Sequence, residues 1–279
     1  MFKEPIRRRL CFIRSGCRER TGSASGFQRH QPLLTRLPHS RGPSHRHTEG
    51  QGGASDLPRK RALPTRLNSR AGVAAQALLL EPQRDWQVAD LAARAEISNA
   101  FAHRVLVRLE TEGVVEASGA GPRKVRRVVD PRALLDLWAE EAKDRGVLRA
   151  RAFRLARNAE ELSEAVVAGL DERGVACALT SAAAASRVAP LVTAVPVTEI
   201  WVSDDTDVQD AIDACGAERV EGGHNLVLAQ ARGDAPLAFR RQEQGIWMVN
   251  PFRLYLDLRR DPKRGHEQAD HIRQEVIGF

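Results

Sequence analysis

At 279 residues, 42% of them hydrophobic and 28% charged, the chain has material for two ordinary packed domains. No run of about 18 apolar residues occurs, so no membrane span is expected and a cytoplasmic protein fits. The net charge of +7 misleads until it is divided: residues 1–65 hold 14 Lys/Arg against 4 Asp/Glu, residues 66–130 hold 10 against 8, and residues 131–279 hold 19 against 24. The placement of single cations is therefore better evidence for nucleic acid than the basic balance.

Residues 1–65 are rich in Arg, Ser, Gly, Pro and His, lack apolar periodicity, and are expected to form a disordered basic tail. The opening MFKEPIRRRLCFIRSG has no apolar segment behind its basic front, so it does not read as a secretory signal. Two readings of the tail stay open: an arm adding non-specific DNA affinity, or a stretch preceding the natural start. His30, His39, His45 and His47 read as tail composition. Cys11, Cys17, Cys177 and Cys215 show no zinc spacing and fit a reducing compartment. No metal or cofactor is expected.

Leu67 to Leu80 reads as a first helix, closed by Glu81-Pro82. The stretch from Trp86 to Val129 then runs through a short strand, a helix, a tight turn, a second helix and a hairpin with a basic tip. Ala89, Leu91, Ala92 and Ala95 give an apolar face at helical spacing. Ser98 is placed as N-cap, and Gly113 stops the second helix. Ala102, Leu106 and Leu109 point inward, which leaves Asn99, His103, Arg104, Val107 and Arg108 outward as a polar, basic face suited to a major groove. Val114–Ala117 and Val125–Val128 alternate as strands around a Gly/Pro turn ending in Arg123 and Lys124. The order predicts a winged helix-turn-helix over residues 66–130. Ser98, Asn99, His103, Arg104 and Arg108 are the expected groove contacts; Arg123, Lys124, Arg126 and Arg127 are the expected backbone or minor-groove contacts. A winged unit serving protein contact alone is the alternative.

Asp130-Pro131 starts a connecting helix, residues 131–148, with Leu134, Leu135, Leu137 and Trp138 as its stripe and an end near Gly146. Residues 149–279 read as a mixed α/β domain. A strand from Arg149 carries a basic face that suits either solvent or a second nucleic-acid surface. Asn158–Arg173 is an amphipathic helix and Val175–Leu179 a buried strand. Thr180 caps an Ala-rich helix from Ser181 to Val188. Further strands are expected at Val197–Val202, Leu226–Gln230, Leu237–Arg241 and Ile246–Val249, with closing helices at Phe252–Leu258 and Arg264–Ile277.

The second half resembles the AbiEi family of transcriptional regulators, antitoxins of type IV toxin–antitoxin systems. The resemblance rests on Ala178-Leu-Thr-Ser181 with the Ala-rich helix behind it, and on Thr198-Glu-Ile-Trp-Val202. Glu221-Gly-Gly-His-Asn-Leu-Val-Leu228, Val249-Asn-Pro-Phe-Arg-Leu-Tyr-Leu-Asp-Leu258 and Arg264-Gly-His-Glu-Gln-Ala269 complete it. With the winged unit it covers residues 66–279, and the order and spacing of the motifs carry it more than any one motif. It implies a nucleotidyltransferase-like C-terminal domain, binding to operator repeats in double-stranded DNA, autorepression, and opposition to a separately encoded nucleotidyltransferase-like toxin. An operator of inverted repeats would take two winged units.

A working nucleotidyltransferase needs a Gly-Ser turn, two carboxylates on the next strand and a third on a later strand, to hold metal ions on the triphosphate. Here Thr180-Ser181 is followed by alanines. Asp204, Asp205 and Asp207 form the tight acidic cluster, which also reads as a turn and helix cap. Glu221-Gly-Gly-His-Asn lacks a phosphate-loop lysine. A protein that is no enzyme is therefore expected, with an active nucleotidyltransferase carrying a winged accessory domain as the alternative.

Overall fold

Alanine and leucine dominate the first helix, α1 (Ser69–Leu80), and bury nearly its whole length. The computed structural model describes residues 65–142, 146–233, 235–262 and 264–279. The expected tail, with Cys11, Cys17 and its four histidines, lies outside the described residues except at Thr65. Helix α2 (Val88–Arg94) opens on a capping box in which Gln87 and Asp90 satisfy each other's backbone N–H. The turn to α3 (Asn99–Thr111) passes through Glu96 in the left-handed region, φ 52°. Ser98 caps α3 by accepting from the Phe101 N–H at 3.2 Å. Gly113, φ 73°, leaves the helix where only glycine adopts the turn without strain.

Strands β1 (Val115–Ser118) and β2 (Val125–Val128) form an antiparallel hairpin with Val115 opposite Val128. Its tip holds one 3-10 turn, Gly121–Arg123. The strand expected before α2 shrinks to a single bridge, Trp86 to Arg126, with N–H···O bonds of 2.7 and 2.9 Å. Trp86, Leu91, Leu106 and Leu109 are fully buried between these elements. Helix α4 (Pro131–Glu141) starts as read, with the Asp130 carboxylate accepting from the Ala133 N–H, and packs Leu134, Leu135 and Trp138 inward. It ends five residues short of the expected Gly146.

The remaining strands form one mixed sheet of seven, in the order β6-β3-β7-β5-β4-β9-β8. They are β3 (Leu148–Phe153), β4 (Cys177–Thr180), β5 (Thr198–Val202), β6 (Glu218–Arg219), β7 (Leu226–Gln230), β8 (Arg241–Glu243) and β9 (Ile246–Met248). Strand β5 runs parallel to β7 and antiparallel to β4, while β4 runs parallel to β9. Helices α5 (Ala159–Glu172) and α7 (Val208–Ala214) pack together against the sheet, and α6 (Ser181–Val188), α8 (Pro251–Leu258) and α9 (Gly265–Ile272) form a second group. A π-helical turn, Arg273–Ile277, closes the chain. The fold class is thus mixed α and β.

Two expectations are corrected. Leu237–Arg241 is no strand: Ala235–Leu237 makes a 3-10 turn, Phe239 has φ 56°, and pairing begins at Arg241. Thr180 stands at the N-cap of α6 without capping it, because its hydroxyl donates to Asp257 at 2.7 Å. The described residues all fall within one compact unit. The two halves meet at Gln76 of α1, whose Oε1 accepts from Asn250 Nδ2 at 2.6 Å, and at Asp136 of α4, which Arg273 engages at 2.8 Å.

Candidate nucleic-acid interface

Helix α3 buries Ala102, Val105, Leu106 and Leu109. Its other side exposes Asn99, Ala100, His103, Arg104 and Val107. The Arg104 guanidinium lies over the Phe101 ring at 5.3 Å, which props it along the helix surface. Gln87, His103, Gly121, Pro122, Lys124 and Arg126 line a cleft of ≈ 320 Å³, so His103 of α3 and the hairpin share one surface.

Arg108 departs from the expected outward face. Its side chain is only 9% exposed and forms a two-pronged ion pair with Glu141 of α4, while also donating to the Thr65 carbonyl. Glu141 also accepts from the Leu67 N–H at 2.8 Å. Arg108 therefore joins α3 to α4 and to the chain entering α1. Burial pushes the Glu141 carboxyl up, but the bonds from Arg108 and Leu67 outweigh it and hold the group below the usual carboxylate range.

The four hairpin cations divide in the same way. Arg126 is 3% exposed and pairs with Glu110 of α3, which Lys124 also reaches at 3.2 Å. Burial raises the Glu110 carboxyl, and its bonds from Arg126 and Lys124 bring it below its ordinary value. Glu110 thus fixes the hairpin against α3. Arg127 is half exposed in an ion pair with Asp85 at 2.8 Å. Arg123 is exposed at the tip, and among the described residues it has no ion-pair partner. Of the nine expected contacts, His103, Lys124 and Arg126 line the cleft between α3 and the hairpin, and Ser98, Asn99, Arg104, Arg123 and Arg127 are exposed. Ser98 is a cap, Arg108 and Arg126 are buried tethers, and Arg127 flanks the hairpin.

Asp204, Asp205 and Asp207 take turn and cap positions. Asp204 accepts from the Gly233 N–H at 2.7 Å, and Asp207 caps α7 through the Gln209 and Asp210 N–H groups. Among the described residues no group of His, Cys, Asp and Glu is arranged to hold a metal ion. Cys177 and Cys215 are buried, which pushes both thiols up to about 12. Among the described residues no helix is long and apolar enough to cross a membrane.

A larger cleft, ≈ 630 Å³, opens where β4 enters α6, beside β3, β5 and the end of α8. Ser181, φ 54°, donates to Glu199 at 2.6 Å, and Arg149 pairs with the other oxygen of Glu199 at 3.3 Å. Beneath them Asp257, 4% exposed, accepts from Thr180 and from Trp201 Nε1 at 2.7 Å, and pairs with Arg253 and Arg260 at 2.8 and 3.0 Å. Sequence reading missed this cluster because its members come from β3, β4, β5 and α8. The one signal was an Arg and an Asp four apart on an otherwise apolar α8, which places both on one helix face. Comparison with protein-family models, curated proteins and solved structures finds no match.

Proposed function

We propose that this chain is a DNA-binding transcriptional regulator whose residues 66–130 form a winged helix-turn-helix. The observation that carries the reading is the single surface on which the open face of α3 meets the hairpin tip, with His103 and Lys124 lining one cleft. Asn99, His103 and Arg104 enter the major groove, where Asn reads adenine and Arg reads guanine. Arg123 and Lys124 hold the phosphate backbone. Residues 149–279 form a nucleotidyltransferase-like domain that transfers no nucleotide. The alanines that follow Thr180-Ser181, where a working nucleotidyltransferase carries two carboxylates, support this. In its narrowest form the proposal is an autorepressing type IV antitoxin of the AbiEi kind, acting against a nucleotidyltransferase-like toxin.

The test is fluorescence anisotropy on duplexes selected from a random library by the full chain. Replacing both Arg104 and Arg123 by Ala is expected to weaken binding by about 1–3 kcal/mol for each base no longer read, and to lower the salt slope by about 1 for each phosphate no longer neutralised. Unchanged affinity in a folded double variant would refute the assigned surface.

A further inference from the structure

Strand β3 turns Ala150 and Ala152 into the core, and Arg151 and Phe153 to the opposite, open side of the sheet. Phe153 is 41% exposed there, and Leu155, just past the strand, is 87% exposed. With Leu148 they make three of the six large apolar side chains exposed among the described residues, so exposed apolar surface gathers at β3. The outer neighbour of β3 is the short edge strand β6. Phe153 stands opposite Glu218, and the Val220 N–H donates to the Arg151 carbonyl at 3.1 Å, which sets Val220 opposite Arg151. Residues directly opposite each other share a face. Arg151, Phe153, Glu218 and Val220 therefore form a four-cornered patch, about 7 Å along the strands and about 5 Å across them. One diagonal, Phe153 to Val220, is apolar. The other joins opposite charges, Arg151 and Glu218, both exposed and, among the described residues, without an ion-pair partner.

We propose that this patch binds a second copy of the chain, about a two-fold axis lying along the Phe153–Val220 diagonal. Such an axis lays each apolar corner on its own counterpart and exchanges the charged corners. Arg151 of each chain then meets Glu218 of the other, twice per dimer, and Phe153 packs on Phe153. Val227, opposite Arg151 on β7, and Leu155 extend the apolar surface around the axis. The charges choose the occupant. An acidic partner answers Arg151 and opposes Glu218, a basic partner does the reverse, and a second copy answers both. Single-stranded nucleic acid fits worse, because Glu218 stands beside the one ring on which a base would stack. None of these residues lies on α3 or the hairpin, so the inference is independent of the DNA-binding reading.

Sedimentation velocity on the full chain at rising concentration tests this. A shift from the mass of one chain to that of two is expected. Arg151→Glu and Glu218→Arg should each weaken the dimer by about tenfold or more, since like charges facing across an interface repel. The discriminating arm mixes the two variants. One chain then presents two carboxylates at the charged corners and the other two guanidinium groups, so the mixture should dimerise where neither variant does alone. Phe153→Ala, which alters no charge, should weaken the dimer as well. Melting curves at low concentration check that each variant is folded. A chain that stays monomeric at every concentration overturns the proposal, and so does a dimer that the folded variants leave intact. A mixture that associates no better than its components overturns the two-fold geometry.

Discussion

One turn of α3 separates Arg104 from Arg108, and the two arginines have opposite fates. Arg104 is exposed, whereas Arg108 is held by a glutamate 33 positions away. No helical periodicity reveals that partner, because the inward and outward sectors of α3 meet near Arg108 and only the arrival of α4 decides its side. The expected consequence is a separation of phenotypes. Arg104→Ala should weaken DNA binding with the melting temperature unchanged. Arg108→Ala strands the Glu141 carboxylate and should cost about 3 kcal/mol, as for a broken buried pair. Thermal melts beside anisotropy would show it; an Arg108→Ala chain of wild-type stability would contradict the tether. The depressed carboxyls of Glu141 and Glu110 add a pH dependence. Free glutamate titrates near 4.5, so both pairs contribute fully above that pH, and the contribution is lost as pH falls through the lower folded values. The melting temperature should therefore be flat near neutrality and fall below about pH 4.5, as the linkage requires. In Glu141→Gln it should start lower and fall less; an identical acid slope would remove Glu141 from the account.

Among the elements, those with local signals were legible in sequence. Ser98 as cap, Gly113 as stop and Asp130-Pro131 as start mark α3 and α4 within the chain itself. The two-residue β6 and the false strand at Leu237–Arg241 lacked such marks. Their conformation is set by the partner strands, β3 for β6 and β9 for β8, so composition misdirects. The candidate surface was legible to the same extent: its exposed members follow from helix periodicity and hairpin chemistry, while its tethers, Arg108 and Arg126, depend on acids from other elements. Close helix packing supplies a prediction whose sign runs against propensity. Gly169 sits inside α5, where alanine would ordinarily gain about 1 kcal/mol. A Cβ there would fall well inside van der Waals distance of the Ala214 carbonyl oxygen at the end of α7. Because that neighbour is backbone, α5 and α7 would have to separate, and Gly169→Ala is expected to destabilise by about 1–3 kcal/mol. Urea unfolding measures it, and a stabilised variant would show that the two helices have room.

At the scale of the molecule, the buried apolar residues of the two halves belong to one cluster, which holds Trp86, Leu91, Leu106 and Leu109 together with Leu179, Ile200 and Leu228. Polar contacts add to that cluster where the two halves meet. Gln76, 1% exposed, accepts from Asn250 and donates to the Ala235 carbonyl at 3.4 Å. Asp136 receives both terminal nitrogens of Arg273, and Arg94 of α2 stacks on Phe239 at 4.2 Å. Removing Gln76 takes a partner from buried Asn250 and should cost about 1–3 kcal/mol, whereas the Asp136–Arg273 pair, with Asp136 41% exposed, is worth about 1 kcal/mol or less. Wild-type chain is therefore expected to unfold in one cooperative step, because both halves share the apolar cluster and these contacts. In Gln76→Ala/Asp136→Ala two polar joints are broken while the shared apolar cluster remains, and the single step should persist at lower urea. Hydrogen exchange followed by mass spectrometry in rising urea resolves this by peptide. Peptides of α3 and of β7 should lose protection together in wild type and together, at a lower urea concentration, in the double variant. Separate loss of protection in the variant would mean that the apolar cluster does not bind the two halves into one cooperative body.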